Sequence, residues 1–227
     1  MIIGNGLLAK ACIPHLGDDS NVIVFASGVS NSREFDSGAF LRERQMLKEA
    51  IGCGKLLVYF STCSISDPEL QGTPYVMHKK AMEEFVQEAR DYAIFRLPQV
   101  VGKTTNPNTL TNYLCQQILS GTRFNVWQYA RRNLIDVDDV ALISDYLIKV
   151  APDKKIIMPI ASPLSISIPQ LVEILERVLG RKAYFNLIPS GAAYEIDSRA
   201  ANSVADKVGI RFDETYIERV IRKYYGK

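Results

Sequence analysis

The sequence is poor in the residues that mark several classes of protein. The 227 residues include two histidines and four cysteines (Cys12, Cys53, Cys63 and Cys115) with no C-x-x-C pair, so no metal site is expected. These spacings are typical of free thiols in a reducing cytoplasm. Lys and Arg (27) barely outnumber Asp and Glu (25), which argues against nucleic acid or an anionic membrane as partner. No apolar run reaches the roughly 18 residues of a membrane span, and residues 1–4 (MIIG) do not resemble a signal peptide.

What the sequence does contain is a regular alternation of strand and helix patterns. Hydrophobic residues (47%) and charged residues (23%) are sufficient for a sizeable core. Residues 21–26 (NVIVFA), 55–60 (KLLVYF) and 92–97 (YAIFRL) are apolar runs typical of strands buried on both faces of a parallel sheet. Residues 40–51 and 73–90 carry apolar residues at helical spacing. The pattern predicts an α/β fold with a doubly wound parallel sheet, whose ligand site lies beyond the carboxyl ends of the strands.

The remaining elements are assigned from the same patterns. Further strands are predicted at 1–3, 134–137, 155–158 and 183–188, and further helices at 6–15, 110–119 and 214–225. Residues 167–170 (SIPQ) form a capping box at the start of a helix that ends at Gly180.

A glycine-rich loop follows the first predicted strand. Residues 4–9 (GNGLLA) have the form G-x-G-x-x-A and lead directly into a helix. The glycines let the backbone approach a pyrophosphate closely, and the N-terminus of the helix offers free amides and the positive end of its dipole. An ordinary glycine turn between a strand and a helix has the same pattern, so on its own the loop leaves both interpretations open.

Tyr75 and Lys79 form a candidate acid–base pair. Residues four apart lie on one helix face, and an ammonium near a phenol lowers the pKa of that phenol from its usual value of about 10. Tyr75 would then serve as acid or base in the interconversion of an alcohol and a carbonyl. A core tyrosine beside a solvated lysine is the alternative. The preceding strand ends in the hydroxyl-rich residues 61–64 (STCS), which suit the binding of a substrate oxygen.

Taken together, these segments resemble the extended short-chain dehydrogenase/reductases, the NAD-dependent epimerases and dehydratases of nucleotide sugars. The resemblance covers nearly the whole chain. It rests also on residues 25–28 (FASG), 60–65 (FSTCSI), 96–102 (RLPQVVG, for the family's R-L-P-N-V-Y-G) and 132–141 (RNLIDVDDVA, for R-D-F-I-H-V-D-D-V-A). It implies a Rossmann-like NAD(P)-binding domain at 1–102 and 133–160. A small α/β substrate-binding portion would comprise 103–132 and 161–227.

The resemblance also implies roles for individual residues. Tyr75 would exchange the hydroxyl proton, Lys79 would tune Tyr75 and hold the nicotinamide ribose, and Thr62 would orient the reacting oxygen. The implied contacts to NAD or NADP are Gly4, Asn5, Gly6, Leu7, Leu8, Ala26, Ser27, Gly28, Ser61, Tyr75, Lys79 and Pro98. The implied substrate contacts are Ser64, Gln99 and Arg132, of which Arg132 matches the arginine that commonly contacts the substrate pyrophosphate.

The chain departs from the family pattern on the cofactor side. The usual loop, G-x-x-G-x-x-G, is one residue longer, and family members carry two more strand–helix units before the strand matched by residues 21–26. That missing region normally presents the residue that selects NAD or NADP. Asp18, Asp19 and Arg33 are candidate replacements, and none is assigned. The expectation is therefore modest cofactor affinity and weak discrimination between NAD and NADP.

The function implied by the resemblance is that of an NAD(P)-dependent oxidoreductase acting on a nucleotide-activated sugar. A 4-keto sugar reductase of surface polysaccharide or deoxysugar biosynthesis is the first candidate. A nucleotide-sugar epimerase with retained NAD and a non-catalytic dinucleotide-binding sensor or scaffold are the alternatives. A 4,6-dehydratase is disfavoured, because Cys63 and Ser64 replace that enzyme's Asp-Glu pair. A cytoplasmic homodimer, joined by the helices at 40–51 and 73–90 as a four-helix bundle, is expected.

Overall fold

The computed structural model describes residues 1–150 and 155–226, which form two compact units. The first unit comprises Met1–Leu97 and Val137–Ile160, and the second comprises Pro98–Asp136 and Ala161–Lys227. The sequence assigned 98–102 and 133–136 to the first domain, but both segments belong to the second unit, because the strands they contain pair with each other. Within the described residues, no helix is long and apolar enough to cross a membrane.

The first unit is built on a five-stranded parallel sheet, with elements numbered along the whole chain. Its strands are β1 (Ile2–Ile3), β2 (Val22–Phe25), β3 (Leu56–Thr62), β4 (Tyr92–Leu97) and β8 (Lys155–Pro159), in the order β1-β2-β3-β4-β8. Every residue of β2 and β3 is buried, as the continuous apolar runs predicted. The predicted α/β fold with a parallel Rossmann-like sheet is confirmed.

Within the described part of this unit, four helices cover the sheet. They are α1 (Leu7–Leu16), α2 (Ser37–Ile51), α3 (Pro74–Val86) and α5 (Val137–Val150). Helix α1 packs against α5, whereas α2 and α3 pack side by side. One apolar cluster joins α2 and α3 to the sheet and includes Leu47, Met82, Ile23, Leu57 and Ile94. Helix α3 begins where the Thr73 side chain accepts a hydrogen bond from the Val76 amide, and it ends four residues earlier than predicted.

Strand β1 is the edge strand of the sheet. Ile2 pairs with Val24 and Ile3 with Phe25, so β1 lies directly beside β2. No other strand within residues 1–150 and 155–226 pairs with the outer side of β1. The sheet is therefore shortened at the position where the sequence lacks two strand–helix units.

The described residues of the second unit form two small sheets and four helices. Strands β5 (Gln99–Val101), β7 (Arg131–Asp136) and β9 (Ser165–Ser167) form one sheet, and β6 (Phe124–Trp127) pairs with β10 (Phe185–Ile188) in the other. The helices are α4 (Leu110–Ser120), α6 (Ile168–Leu179), α7 (Arg199–Lys207) and α8 (Tyr216–Tyr225). Helix α6 begins with the predicted capping box and ends at Gly180. Helix α8 is anchored to the end of β7, since Lys223 and Tyr224 both bind the Asp136 carboxylate.

Candidate active site

The glycine loop between β1 and α1 lies against the end of β2. Gly4 has φ of +125°, and a Cβ atom there would lie 2.5 Å from the carbonyl oxygen of Ala26. Only glycine allows this close approach. Gly6 precedes α1 without a side-chain cap, and the first turn holds no acidic residue. Because the loop is exposed, these first-turn amides are open to an anion.

Two hydroxyl groups lie at the carboxyl end of β3. This strand is longer than predicted and includes Ser61 and Thr62. Ser61 Oγ is buried and has no hydrogen-bond partner among the described residues. Thr62 Oγ1 accepts a hydrogen bond from the Ser64 amide (3.1 Å), which caps the short 3-10 helix Cys63–Ser66. Thr62 therefore still has its hydroxyl hydrogen to donate, and the unpaired Ser61 hydroxyl is a polar group that a ligand can satisfy.

Tyr75 and Lys79 lie on the inner face of α3, as their spacing predicted. Tyr75 is 6% exposed and belongs to a small apolar cluster with Val29 and Val76. Lys79 lies one helical turn further along the chain and is only 2% exposed. The alternative of a solvated lysine is therefore wrong, and the burial of its ammonium requires an explanation.

A buried hydrogen-bond network around Glu43 of α2 supplies that explanation. Lys79 Nζ donates to Glu43 Oε1 (3.1 Å) and to the Tyr59 hydroxyl (2.9 Å). The Tyr59 hydroxyl donates to the same carboxylate oxygen at 2.6 Å. The other oxygen, Oε2, accepts from the Val29 amide (2.7 Å) and lies 2.9 Å from His78 Nε2. Glu43 is thus completely buried and fully hydrogen-bonded.

The network shifts the pKa values of its members. Burial alone would raise the pKa of Glu43, but the His78 hydrogen bond, the charge of Lys79 and the bonds from Tyr59 and Val29 outweigh it and lower the pKa from 4.5 to about 2. Burial lowers the pKa of Lys79, and the charge and hydrogen bond of Glu43 oppose that shift. Burial and the Glu43 charge raise the pKa of Tyr59 well above its usual value, so Tyr59 is not an acid–base group near neutral pH.

Gly28, predicted to contact the cofactor, closes this network from the end of β2. A Cβ atom at Gly28 would lie 2.8 Å from both Lys79 Nζ and Glu43 Oε1. Its neighbour Ser27 contacts the Met46 sulfur at 3.9 Å through its hydroxyl group. Glycine is needed here because the buried ion pair occupies the space of a side chain.

Sequence reasoning missed Glu43 and Tyr59. A signal for Glu43 was present, since it lies at helical spacing between Phe40 and Leu47 on the buried stripe of α2. An acidic residue on an apolar stripe must find a partner. No comparable signal marks Tyr59, which is one aromatic residue within a buried strand.

The predicted residues Pro98, Gln99 and Arg132 belong to the second unit. Gln99 begins β5 and is half-buried. Arg132 lies on β7, where its Nη1 donates to the carbonyl oxygens of Arg131 (2.7 Å) and Ala192 (3.2 Å). The guanidinium of Arg132 is therefore held by the main chain within its own unit and is not simply solvated.

The sequence places the chain in a family. A sequence model of the NAD dependent epimerase/dehydratase family matches residues 42–159, just over half of the chain. The chain belongs to this family. Curated protein sequences provide no match.

Solved structures of similar fold cover most of the chain. One is MoeE5 in complex with UDP-glucuronic acid and NAD, which is 17% identical with a TM-score of 0.71 over 96% of this chain and 82% of that one. Another is UDP-glucuronic acid 4-epimerase from Bacillus cereus (15% identity, TM-score 0.69, 99% of this chain and 88% of that one). A third is UDP-glucose 4-epimerase from Thermus thermophilus (14% identity, TM-score 0.68, 95% of this chain and 81% of that one). At such identities the similarity establishes the fold.

Proposed function

We propose that the protein is an NAD(P)-dependent oxidoreductase that acts on a nucleotide-activated sugar, and that net reduction of a 4-keto sugar is its reaction. The observation that carries this proposal is the arrangement of the first unit. The glycine loop follows β1, Gly28 beside the Lys79 ammonium follows β2, and the Thr62 hydroxyl lies at the end of β3. These are the carboxyl ends of the parallel strands, where α/β sheets bind ligands.

The residues of the first unit suit a dinucleotide. Gly4 and Gly6 with the first-turn amides of α1 would hold the pyrophosphate, because that backbone is exposed and uncapped. The unpaired Ser61 hydroxyl and Lys79 would hold the nicotinamide half. The Lys79 ammonium has three N–H groups. Two of them donate to Glu43 and Tyr59, which leaves one for a ribose hydroxyl. When bound, the nicotinamide supplies or accepts the hydride.

The chain's own residues would handle the proton. Tyr75 exchanges the proton of the sugar hydroxyl, in the role that its spacing from Lys79 suggested. Thr62 donates its hydroxyl hydrogen to the reacting oxygen, since its own oxygen already accepts from the Ser64 amide. Ser64 itself is nearly buried beside it. These steps need no metal ion.

The second unit would bind the substrate. Arg132 uses Nη1 on two main-chain carbonyls, so its orientation is fixed. Its Nε and Nη2 groups have no hydrogen-bond partner among the described residues and suit a substrate pyrophosphate. We expect Arg132→Ala to weaken nucleotide-sugar binding by about 1.5–3 kcal/mol in calorimetry, the range for hydrogen bonds to charged groups. Equal affinities would remove Arg132 from the site.

Gln99, at the start of β5, is a second proposed substrate contact in this unit.

Turnover by a Tyr75→Phe variant tests the enzymatic proposal. With a 4-keto nucleotide sugar and NADH or NADPH, we expect kcat to fall about 10²–10⁴-fold while cofactor affinity stays the same. Tyr92→Phe is the matched control, because Tyr92 begins β4 and so lies at the opposite, amino-terminal end of the parallel strands. Wild-type turnover by Tyr75→Phe would exclude the acid–base role. Dinucleotide binding by the wild type without turnover would favour a sensor, and the absence of both would favour a scaffold.

An epimerase with retained NAD is the second candidate. The similar structures include 4-epimerases of UDP-glucose and UDP-glucuronic acid in complex with NAD. In an epimerase the hydride returns to the substrate and the cofactor stays bound. Mass spectrometry of the small molecules released by denaturing the purified protein separates the two reactions. Stoichiometric NAD supports the epimerase, and its absence supports the reductase or the scaffold.

We also propose a cytoplasmic homodimer that pairs α2 and α3 across a four-helix bundle. These helices pack side by side, and Leu41 and Met77 on them are 66% and 56% exposed. Free thiols at Cys12, Cys53 and Cys63 fit a reducing compartment. Sedimentation of the wild type and of Leu41→Glu tests the dimer, since a charge at the interface between the helices of the two copies should give monomers.

A further inference from the structure

The counter-ion of Lys79 is a group to which the family resemblance gives no role. We propose that Glu43 is a positioning residue that fixes the Lys79 ammonium and keeps it protonated at the pH at which Tyr75 works. This inference rests on the proposed function. It concerns the charge of Lys79, which can be measured without turnover.

The geometry fixes the direction of the ammonium. The side chains of Lys79 and Glu43 are 3% and 0% exposed, so water does not compete for either group. Nζ donates to Glu43 Oε1 at 3.1 Å and to the Tyr59 hydroxyl at 2.9 Å, and it lies 2.8 Å from the position that a Cβ atom at Gly28 would take. Because two of the three N–H groups donate to Glu43 and Tyr59, the direction of the third N–H group is fixed. Glu43 thus determines where Lys79 points.

The second oxygen of Glu43 is held independently. His78 Nε2 lies 2.9 Å from Oε2, and the His78 ring stacks on Phe40 with centroids 4.4 Å apart and an interplanar angle of 19°. The Val29 amide donates to the same oxygen at 2.7 Å. With Oε2 occupied in this way, rotation of the carboxylate away from Lys79 would break these two contacts as well. The carboxylate is therefore preorganised for the lysine.

Glu43 is also the charge that keeps Lys79 protonated. A buried lysine without a partner loses its proton readily, because burial disfavours the ammonium. Besides Glu43, the titratable groups around Lys79 among the described residues are Tyr59 on β3, and Tyr75, His78 and Glu83 on its own helix. Tyr59 stays neutral, and the Glu83 carboxylate is engaged by Arg96 at 2.6 Å. This leaves Glu43 as the carboxylate in direct contact with the ammonium.

Loss of the ion pair would change both the stability and the titration of Lys79, and a positioning role would in addition change the pH dependence of turnover. Both the titration and the turnover are therefore measured. Protein carrying ¹³C-labelled lysine is titrated by NMR as wild type, Glu43→Gln and Glu43→Asp, with the Lys79 Cε signal assigned from its loss in Lys79→Met. We expect the Lys79 midpoint to move to lower pH in Glu43→Gln and less far in Glu43→Asp. Asp145→Asn, which removes the carboxylate paired with Lys149 on α5, should leave it unchanged.

The pH dependence of turnover provides the second readout. In Glu43→Gln, kcat/KM should fall about 10²-fold below wild type as the pH rises through the new Lys79 midpoint, while Asp145→Asn keeps the wild-type profile. An unchanged Lys79 midpoint in Glu43→Gln overturns the inference. If that variant does not fold, an unchanged midpoint in Glu43→Asp overturns it equally. Wild-type protein that neither binds NAD(P) nor turns over a nucleotide sugar refutes the proposed function instead, and the NMR titration still decides the charge of Lys79.

Discussion

Replacing the buried carboxylate of Glu43 should destabilise the protein by an amount that depends on pH. Glu43 accepts hydrogen bonds from Val29, Tyr59, His78 and Lys79, which lower its pKa from 4.5 to about 2. Since each pKa unit corresponds to about 1.4 kcal/mol, the folded state gains about 3 kcal/mol from the ionised carboxylate at pH 7. The folded pKa is depressed, so this stabilisation is complete above the unfolded value and is lost as the pH falls through the folded value.

The assay is urea denaturation of the wild type and Glu43→Gln between pH 3 and pH 7, followed by circular dichroism. The difference in unfolding free energy should be about 3 kcal/mol at pH 7 and only about 1 kcal/mol at pH 3, where the unfolded carboxyl is protonated. Groups that do not contact Glu43 titrate in both proteins and cancel in the difference. Leu47→Ala is the control on the same helix, because its loss of a fully buried side chain costs about 2–5 kcal/mol at every pH.

Two outcomes would refute the reasoning. A Glu43→Gln protein as stable as the wild type at pH 7 would mean that the desolvation of the carboxylate offsets all four of its hydrogen bonds. A difference that stays constant from pH 3 to pH 7, as in Leu47→Ala, would mean that the loss comes from packing and not from the charge.

Three further predictions concern the loop, the thiols and the cofactor. Gly4→Ala should destabilise the protein by about 1–3 kcal/mol in the same assay and weaken NAD binding, because its Cβ would meet the Ala26 carbonyl; unchanged affinity would remove the loop from the site. In the native protein a thiol reagent should label Cys53, which is exposed, and spare Cys12 and Cys63, whose pKa values burial raises to about 12. Titrations should show NAD and NADP affinities within about fivefold, or ~1 kcal/mol, and a hundredfold preference would contradict the shortened cofactor side.

The buried strands were predictable because their pattern is local. The run YAIFRL predicted β4 at its observed bounds, Tyr92–Leu97, because a parallel strand covered on both faces must be apolar throughout. Strands β5 and β9 were missed because each has only three residues and is stabilised by pairing with β7, which is distant in sequence from β9. Helix α7 was missed as well, and its first residue follows no side-chain cap.

The same contrast applies to the site. The spacing of Tyr75 and Lys79 is local, so the sequence placed both on one face of a helix. The partner of Lys79 lies 36 residues earlier on another helix, and no spacing rule connects them. The sequence also predicted that Lys79 lowers the pKa of Tyr75 by its charge. In the structure the Lys79 ammonium also forms an ion pair with Glu43 at 3.1 Å. Only the packing of α2 against α3 brings these two residues together.

The position of β1 at the edge of the sheet has a consequence for local opening of the structure. The strand has two residues, and the amides of Val24 and Ala26 donate to the carbonyl oxygens of Met1 (2.9 Å) and Ile3 (2.8 Å). These amides should exchange with solvent deuterium faster than those of β3 and β4, because separating β1 breaks few bonds. The glycine loop is attached to this strand. A dinucleotide bound to that loop would therefore slow exchange at Val24 and Ala26, so deuterium uptake there reports cofactor binding without a turnover assay.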